Sequence, residues 1–373
     1  MIKILEYMLY ILYFYNLKNI KMDIEFIKES KLPTTDYTKL PFGTCFIDHM
    51  FEMHYENGQW TKGMVKPYGK IEIFPSTQSL HYGQVFFEGM KAYKNDQDDV
   101  LLFRPLENVK RFNRTAKRLC MPEIPEDLFM DGLNTLLEVD KAWIPKGENS
   151  SLYIRPFMFA SGLGVKASHS ERYTIMIIAC PVDAYYLKPV KLLAEMKYSR
   201  AASGGTGDVK AGGNYAGSFY PAQLAREKGY DQLMWTDADT HTLVEEAGTM
   251  NIFFRIGNKL LTPALTGTIL PGITRDSIIQ LAKHLEIEIE VRPITLVELK
   301  EAYEKGEFIE AFGAGTAATI SNICEINIEG SILNISEDTS FSAKLKENLE
   351  SIKREEKEDV FGWVYRSKNH VSI

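Results

Sequence analysis

Apolar positions along the first half of the chain follow helical spacing in some segments and strand-like spacing in others, without repeats. The segment RPLENVKRFNRTAKRLC, 104–120, places apolar residues three and four positions apart, which is typical of an amphipathic helix, and Pro105 suits its first turn. A second helix is predicted within 126–143. The segments 151–160 and 172–182 are rich in β-branched and aromatic residues and predict buried strands.

The second half of the chain alternates in the same way. Two prolines and an acidic break in CPVDAYYLKPVK, 180–191, indicate a domain boundary. The elements predicted beyond it are strands at 191–199, 232–239 and within 307–320, helices at 218–229 and 272–285, and a hairpin around 256–259. This order predicts an α+β protein of two domains. The expected parts are an N-terminal extension outside the fold at 1–35, a small α/β domain at 36–182, an interdomain linker at 183–197 and a large domain at 198–373.

The first 21 residues are apolar and aromatic-rich and precede a second methionine, Met22. Their apolar run ends at Lys18 and is too short to span a bilayer. The run also lacks the small-residue cleavage site of a signal peptide. We therefore expect an upstream extension, with translation of the functional protein starting at Met22.

Charge and cysteine content narrow the function classes. The net charge of −7 without a basic stripe argues against nucleic acid or an anionic membrane as a partner. The mixed-sign charge run at 351–359 predicts a solvated helix face. None of the four cysteines lies in a C-x-x-C pair, so neither a metal site nor a disulfide framework is predicted. Reduced thiols fit a cytoplasmic protein.

The segment GTGDVKAGGNYAGS, 205–218, surrounds Lys210 with glycines. Glycine clusters usually mark flexible loops. The alternative is that a large flat group approaches the backbone closely and that Lys210 reaches it. A lysine amine forms a Schiff base with an aldehyde once its proton is removed. If the aldehyde is pyridoxal phosphate, the site also needs an acid beside the ring nitrogen, an anion cradle and a donor to the ring hydroxyl.

Candidates for these parts occur downstream of the lysine. Glu245 and Glu246 are successive residues of a predicted strand, so one carboxylate can enter the site while the other meets solvent. LPGITRDSII predicts a helix N-terminus where the N–H groups of Ile273 and Thr274 can hold an anion, and GAGTAAT offers a second set of amides. The lysine segment lacks the ending of a P-loop, and no G-x-G-x-x-G marks a dinucleotide site.

Seven motifs between about Phe42 and about Ile320 resemble those of one enzyme family. In chain order they are LHYGQVFFEGMKAY, LFRPLENVKRF, LYIRP, KAGGNYAGS, EEAGTMNIFF, LPGITRDSI and GAGTAA. Together they are similar to the branched-chain amino acid aminotransferases, which are fold-type IV pyridoxal phosphate enzymes. The resemblance implies a smaller N-terminal α/β domain and a larger C-terminal pseudo-barrel domain that binds pyridoxal 5'-phosphate. It also implies transamination of leucine, isoleucine and valine with 2-oxoglutarate, giving branched-chain 2-oxo acids and L-glutamate.

The resemblance also implies roles for individual residues around the cofactor. Lys210 would bond the cofactor aldehyde, Tyr215 would contact the ring hydroxyl, and Glu246 rather than Glu245 would be the acid at the ring nitrogen. The residues implied near the phosphate or elsewhere around the cofactor are Arg111, Arg200, Ile273, Thr274 and Thr316.

For the substrate, the resemblance implies an apolar pocket between the domains. Its implied lining is Phe42, Tyr82, Phe87, Tyr153, Tyr185, Thr249 and Met250. The amides of Thr316 and Ala317 would receive the α-carboxylate, and Arg155 would orient the tyrosines or meet a glutamate side chain. Leu163 and Val165 match a loop that reaches the neighbouring subunit's site, which implies a homodimer. A plain core role for Tyr82 and Tyr153 stays open, because buried tyrosines are common.

The sequence departs from the mammalian members of this family at one place. These carry a C-x-x-C after the Gly-Thr-Ala turn, where this chain has Ala318 and Ser321, so their thiol switch is absent. Two alternatives share the fold, a D-amino acid aminotransferase and a lyase acting on aminodeoxychorismate. Both are usually shorter and lack the N-terminal motifs. A non-catalytic cofactor-binding homologue is a third alternative, against which the set of Lys210, Tyr215 and Glu246 argues.

Overall fold

The computed structural model describes residues 22–36, 42–147, 150–182 and 188–368, which form two β-sheets flanked by helices. The strands of the described residues are β1 Asp23–Ile24, β2 His49–Glu56, β3 Gln59–Trp60, β4 Met64–Pro67, β5 Val85–Phe87, β6 Met90–Lys94, β7 Val100–Phe103, β8 Ser151–Ala160, β9 Tyr173–Val182, β10 Val190–Ala194, β11 Gln232–Thr236, β12 Val244–Ala247, β13 Met250–Ile256, β14 Lys259–Thr262, β15 Ile289–Val291, β16 Phe308–Gly315, β17 Thr319–Ile328, β18 Ser331–Asn334 and β19 Val364–Arg366.

Helices cover the outer faces of these sheets. The α-helices of the described residues are α1 Gln78–Tyr82, α2 Pro105–Arg118, α3 Glu126–Val139, α4 Gly212–Ala216, α5 Phe219–Glu227, α6 Ile273–His284, α7 Leu296–Glu304 and α8 Ser340–Lys353. Short 3₁₀ turns occupy Leu32–Thr34 and Lys141–Trp143. In the part of the chain described, no helix combines the length and apolar character that a membrane crossing requires.

The first sheet has ten strands in the order β1-β4-β2-β9-β8-β6-β7-β19, with β3 paired to β2 and β5 paired to β8. Its long central strands β8 and β9 are antiparallel, from Ser151 opposite Val182 to Ala160 opposite Tyr173. Helices α2 and α3 pack on this sheet, and their Phe112 and Phe129 are fully buried in one apolar cluster with residues of β2 and β8. This packing holds β5 and β6 beside the site described below.

The second sheet has nine strands and closes on itself. Strand β12 pairs with both β11 and β13, so β10, β11, β12, β13, β16 and β17 form a ring. Closing a sheet in this way leaves those strands without free edges, which makes the unit a barrel. Strands β13 and β16 lie antiparallel at its centre, with Asn251 opposite Ala314. The turn after β16 and the loop before α6 then open toward the first sheet.

Segments near both ends of the chain join the first sheet, which the predicted domain boundaries did not include. Strand β1 pairs in parallel with β4, where Asp23 lies opposite Met64, so the expectation that residues 1–35 lie outside the fold is wrong for 22–35. The edge of β4 offers unpaired backbone groups, and β1 satisfies them. Strand β19 returns to the first sheet beside β7. Residues 1–21 and the linker segment 183–187 lie outside the described residues, and β10 occupies much of the remaining linker.

Most of the predicted elements are confirmed, including α2, α3, β8, β9, α5 and α6, with ends that differ by a few residues. The prediction of a solvated helix face at 351–359 is wrong at its start. Helix α8 ends at Lys353, and both Lys353 and Arg354 are buried. Their cations lie over the rings of Phe103 and Tyr93, 5.3 and 5.0 Å from the ring centroids. These aromatic contacts replace the solvent that the charge pattern predicts.

Candidate active site

One cavity of about 370 Å³ combines residues of the first sheet with residues of the barrel. Its lining is Phe42, Phe87, Gly89, Arg111, Tyr153, Arg155, Lys210, Tyr215, Glu246, Thr249, Met250, Asn251, Leu270, Gly272, Ile273, Thr274, Ala314, Gly315, Thr316, Ala317 and Ala318. The cavity therefore brings together most of the residues that the sequence predicts for the cofactor and the substrate.

Lys210 enters this cavity from the loop that precedes α4. Its backbone is fixed from the first sheet, because the N–H of Lys210 donates to the Thr115 hydroxyl and its carbonyl accepts from the N–H of Phe87. The Lys210 amine lies 3.2 Å from the Tyr215 hydroxyl oxygen and 5.1 Å from the centroid of the Phe87 ring. The amine is thus held among aromatic groups at one wall of the cavity.

Glu246 is a buried carboxylate on β12, 4% exposed. Its Oε2 lies 2.7 Å from a guanidinium nitrogen of Arg200, and its Oε1 accepts from the Asn251 amide at 3.0 Å and from the N–H of Leu270 at 3.3 Å. Burial raises the pKa of Glu246, and the Arg200 cation opposes that effect. The carboxyl group is therefore fixed in orientation, with a pKa above its ordinary value.

Glu245 is buried as well, 5% exposed, so the expectation that one of the two carboxylates meets solvent is wrong. Its Oε1 accepts from the Thr268 hydroxyl, and its Oε2 has no hydrogen-bond partner within the described part of the chain. The loop that carries Thr268 covers the outer face of β12, which alternation along the strand cannot reveal. Burial raises the pKa of the Glu245 carboxyl. Glu245 does not line the cavity.

The start of α6 forms another wall. Gly272 is its extended N-cap, and no side chain caps the helix, so the N–H groups of Ile273 and Thr274 stay available at its positive end. Arg111 lies beside this end, where its guanidinium donates to the Pro271 carbonyl at 3.1 Å. The combination of a free helix N-terminus and a guanidinium is suited to a phosphate group.

Glu88 holds Arg111 in place and is a residue that the sequence analysis missed. Arg111 Nε and a terminal nitrogen donate to the two Glu88 oxygens at 2.6 and 2.9 Å, and the Asn108 amide donates to Glu88 at 2.8 Å. Burial alone would raise the pKa of Glu88, but the Arg111 cation outweighs it, and the pKa lies below its ordinary value. The available signal was an acidic residue inside the apolar segment VFFEGM.

Aromatic and aliphatic side chains close the remainder of the cavity. The ring of Phe42 meets the ring of Tyr153 edge-on at 5.0 Å. Arg155 donates to the Tyr153 hydroxyl at 3.0 Å, and its guanidinium lies 4.4 Å from the centroid of the Phe87 ring. Met250 also lines the cavity. The wall is therefore mainly apolar, with one cation held over it.

Some predicted site residues lie elsewhere. Tyr82, 42% exposed, donates its hydroxyl to the carbonyl of Val165, 70% exposed, and neither lines the cavity. Leu163 is exposed beside them. Arg200 lines an adjacent cavity instead and reaches the site through Glu246. Tyr185 lies outside the described residues.

Two of the glycines around Lys210 are required by the loop itself. None of those at 204–213 lines the cavity. Gly204 has a left-handed φ of +75°, and a Cβ on Gly207 would lie 2.9 Å from the Thr268 carbonyl carbon. At Gly204 the loop turns sharply, and at Gly207 it packs on neighbouring backbone, so a side chain would be strained at the first position and would clash at the second. The expectation that the glycines make room for a flat cofactor stays a prediction.

Comparisons with known proteins identify one enzyme family. The family model described as "Amino-transferase class IV" matches residues 85–326. A "Probable branched-chain-amino-acid aminotransferase" of Staphylococcus epidermidis (strain ATCC 12228 / FDA PCI 1200) is 45% identical over 345 residues, which are 90% of this chain and 96% of that protein.

Solved structures give the same result. The branched-chain aminotransferase of Thermoproteus uzoniensis with norvaline is similar with a TM-score of 0.71 and 26% identity, over 86% of this chain and 100% of that one. The T.th. branched-chain amino acid aminotransferase complexed with N-(5'-phosphopyridoxyl)-L-glutamate is similar with a TM-score of 0.68 and 25% identity, over 85% of this chain and 98% of that one.

Proposed function

Because the chain belongs to the class IV aminotransferases, we propose that it transfers the amino group of branched-chain L-amino acids to 2-oxoglutarate with pyridoxal 5'-phosphate as cofactor. The α+β fold of fold-type IV enzymes and the class of cofactor expected from the sequence are confirmed by these relatives. The observation that carries the proposal is the placement of Lys210, Tyr215 and buried Glu246 in one cavity.

The residues present fit pyridoxal phosphate. The cavity of about 370 Å³ offers an amine, a buried carboxyl group and a free helix N-terminus beside a guanidinium. Lys210 would hold the cofactor aldehyde, Tyr215 its ring hydroxyl and Glu246 its ring nitrogen. The residues that would hold its phosphate are Arg111, Ile273, Thr274 and Thr316. When bound, the cofactor supplies a ring that accepts the electrons left when the substrate loses its Cα proton.

Each of three side chains has its own part in the proton chemistry. Once the amino group of the substrate has replaced it on the cofactor, Lys210 Nζ would take the proton from the substrate Cα and deliver it again, and the Tyr215 hydroxyl at 3.2 Å orients that amine. Glu246 holds a proton at the ring nitrogen, and its ion pair with Arg200 keeps its oxygens in position. An amide at position 246 would lack this proton affinity.

Substrate selection follows from the apolar wall. Phe42, Phe87, Tyr153 and Met250 exclude water and favour a branched aliphatic side chain. Each buried methylene contributes about 0.8 kcal/mol, so leucine should exceed alanine in kcat/KM by on the order of 10²-fold. Arg155 is the cation that we assign to the γ-carboxylate of glutamate, since it faces the cavity in the described structure.

Two exposed apolar residues support a homodimer. Leu163 and Val165 present apolar side chains to solvent, 55% and 70% exposed, and we assign them to the cavity of a second copy of this chain. A Val165→Glu variant should then run as a monomer in size-exclusion chromatography.

The free thiols Cys45, Cys120, Cys180 and Cys324 support a cytoplasmic location.

An amino-donor assay tests the proposed function. L-Leucine, L-isoleucine and L-valine should each yield L-glutamate from 2-oxoglutarate, and the visible absorbance of the bound cofactor should shift when L-glutamate is added. Faster turnover of D-alanine than of L-leucine would favour a D-amino acid aminotransferase. Cleavage of aminodeoxychorismate without transamination would favour the lyase.

A further inference from the structure

Lys91 connects the two sheets at the edge of the cavity. It lies on β6 of the first sheet, and its Nζ donates to the carbonyl of Ala317 at 2.9 Å. Ala317 belongs to the turn of residues 316–318 between β16 and β17, which lines the cavity. Lys91 itself does not line that cavity. Its amine therefore reaches the turn from behind.

This hydrogen bond fixes the direction in which the N–H groups of the turn point. In a trans peptide, the carbonyl of one residue and the N–H of the next point in opposite directions. Holding the Ala317 carbonyl on Lys91 therefore turns the Ala318 N–H away from Lys91. Within the described residues, the N–H groups of Thr316, Ala317 and Ala318 donate to no other protein group. Successive free N–H groups of a turn form a site for an anionic oxygen.

A second lysine holds the far end of the same turn. Lys353 on α8 donates to the Thr319 hydroxyl at 3.2 Å and to Glu350 at 2.8 Å. Thr319 has a φ of +58°, a left-handed conformation that a β-branched residue rarely adopts. Such a backbone persists only when its surroundings hold it. The turn thus needs anchors, and Lys91 and Lys353 supply them.

We propose that Lys91 is a positioning residue for the α-carboxylate of the substrate, acting through the Ala317 carbonyl to aim the N–H groups of the 316–318 turn into the cavity. The proposal rests on the proposed function, since it assigns the carboxylate of that function's substrates to this turn. Loss of the Lys91 amine should weaken the binding of every 2-amino and 2-oxo acid alike, because all carry the same carboxylate.

The charges around Lys91 predict that substrate binding depends on pH. Burial and the cations of Lys353, Arg354 and Lys346 lower the pKa of Lys91 to about 8, while the Glu350 carboxylate opposes them. The ammonium form binds the Ala317 carbonyl more strongly than the neutral amine does. Affinity for the carboxylate should therefore decline as the pH rises through about 8. An arginine at position 91 stays charged and should remove this dependence.

Steady-state kinetics of the holoenzyme test the role of Lys91. Lys91→Met should raise the KM of leucine and of 4-methyl-2-oxopentanoate by about tenfold, or about 1.4 kcal/mol, with kcat within about twofold. Lys91→Arg should restore the KM at pH 7 and lose the rise above pH 8. Lys346→Met is the matched control, because it removes a nearby cation without a contact to the turn. An unchanged KM in Lys91→Met, or an equal rise in Lys346→Met, would overturn the role.

Calorimetry with 4-methylvalerate, which carries the carboxylate but no amino group, gives a readout independent of turnover. The Kd should rise about tenfold in Lys91→Met and return in Lys91→Arg. If the wild-type protein binds this acid but transaminates no amino acid, the proposed function fails while Lys91 can still be judged. If Lys91→Met does not fold, wild type and Lys91→Arg remain to be compared between pH 7 and pH 9, and identical profiles would refute the proposal.

Discussion

Replacing Glu88 by glutamine should destabilise the protein far more than the removal of an exposed charge would. Three donors converge on Glu88 Oε2: Arg111 at 2.9 Å, the Asn108 amide at 2.8 Å and the N–H of Gly89 at 3.1 Å. In Glu88→Gln an NH₂ group replaces that oxygen or the one facing Arg111 Nε. The buried guanidinium then loses its counter-charge, which typically costs about 3–5 kcal/mol.

Thermal unfolding of the apoprotein measures this cost without cofactor chemistry. The unfolding midpoint of Glu88→Gln should fall by roughly 4–6 °C. Glu107→Gln is the matched control, since the exposed pair of Glu107 and Lys110 lies on α2 beside Arg111 and surface pairs are worth about 0–1 kcal/mol. Equal midpoints for the two variants would refute the reasoning.

The pair of Glu88 and Arg111 also predicts how the stability of the protein changes with pH. The pKa of Glu88 is lowered in the folded state, so its stabilisation is present above the ordinary glutamate pKa of about 4.3 and is lost as the pH falls through the folded value. The difference in midpoint between wild type and Glu88→Gln should therefore shrink on acidification. A difference that grows toward low pH would contradict the assigned ionisation.

Four further substitutions test the site. Lys210→Ala should abolish transamination and the Schiff-base absorbance of the bound cofactor without unfolding the protein, as circular dichroism would show. Glu246→Gln should slow transamination by about 10³-fold or more and also lower the unfolding midpoint, because Arg200 loses a buried counter-charge. Glu245→Gln should raise the unfolding midpoint at pH 8. The pKa of Glu245 is raised in the folded protein, so folding disfavours the ionised carboxylate, and the stability of the wild type declines as the pH rises and the group ionises. Arg155→Met should raise the KM of glutamate and 2-oxoglutarate far more than that of leucine, in parallel kinetic assays.

Local patterns predicted the elements of the fold because periodicity reports which face of a helix or strand is buried. Helix α2 and strands β8 and β9 are examples. The same periodicity misjudged Glu245, because alternation assigns a face of β12 but not what covers that face. Lys353 shows the same limit: its charge predicts solvent, and the aromatic rings that bury it come from β6 and β7.

Hydrogen-bond partners that lie far apart in the sequence could not be predicted for a related reason. Glu88 and Arg111 are separated by 23 residues, and Lys91 and Ala317 by 226. Only the folded sheets bring such groups together, whereas motif resemblance assigns roles to residues one at a time. The resemblance therefore implied Arg111 without Glu88, and the 316–318 turn without the lysine behind it.

Three side-chain cations of the first sheet and α2 donate hydrogen bonds to backbone carbonyls of the barrel. From the first sheet and α2, Lys91 donates to Ala317, Arg111 to Pro271, and Arg118 to the carbonyls of Gly204 and Gly205. The acceptors are backbone carbonyls of three separate barrel loops, and each loop supplies residues to the cavity or leads into Lys210. Cations of the first sheet and α2 thus hold three loops of the barrel by their carbonyls. The loop that leads into Lys210, the loop before α6 and the 316–318 turn are therefore each tied to the first sheet or α2, which explains why one-residue motifs could not predict how the three are arranged.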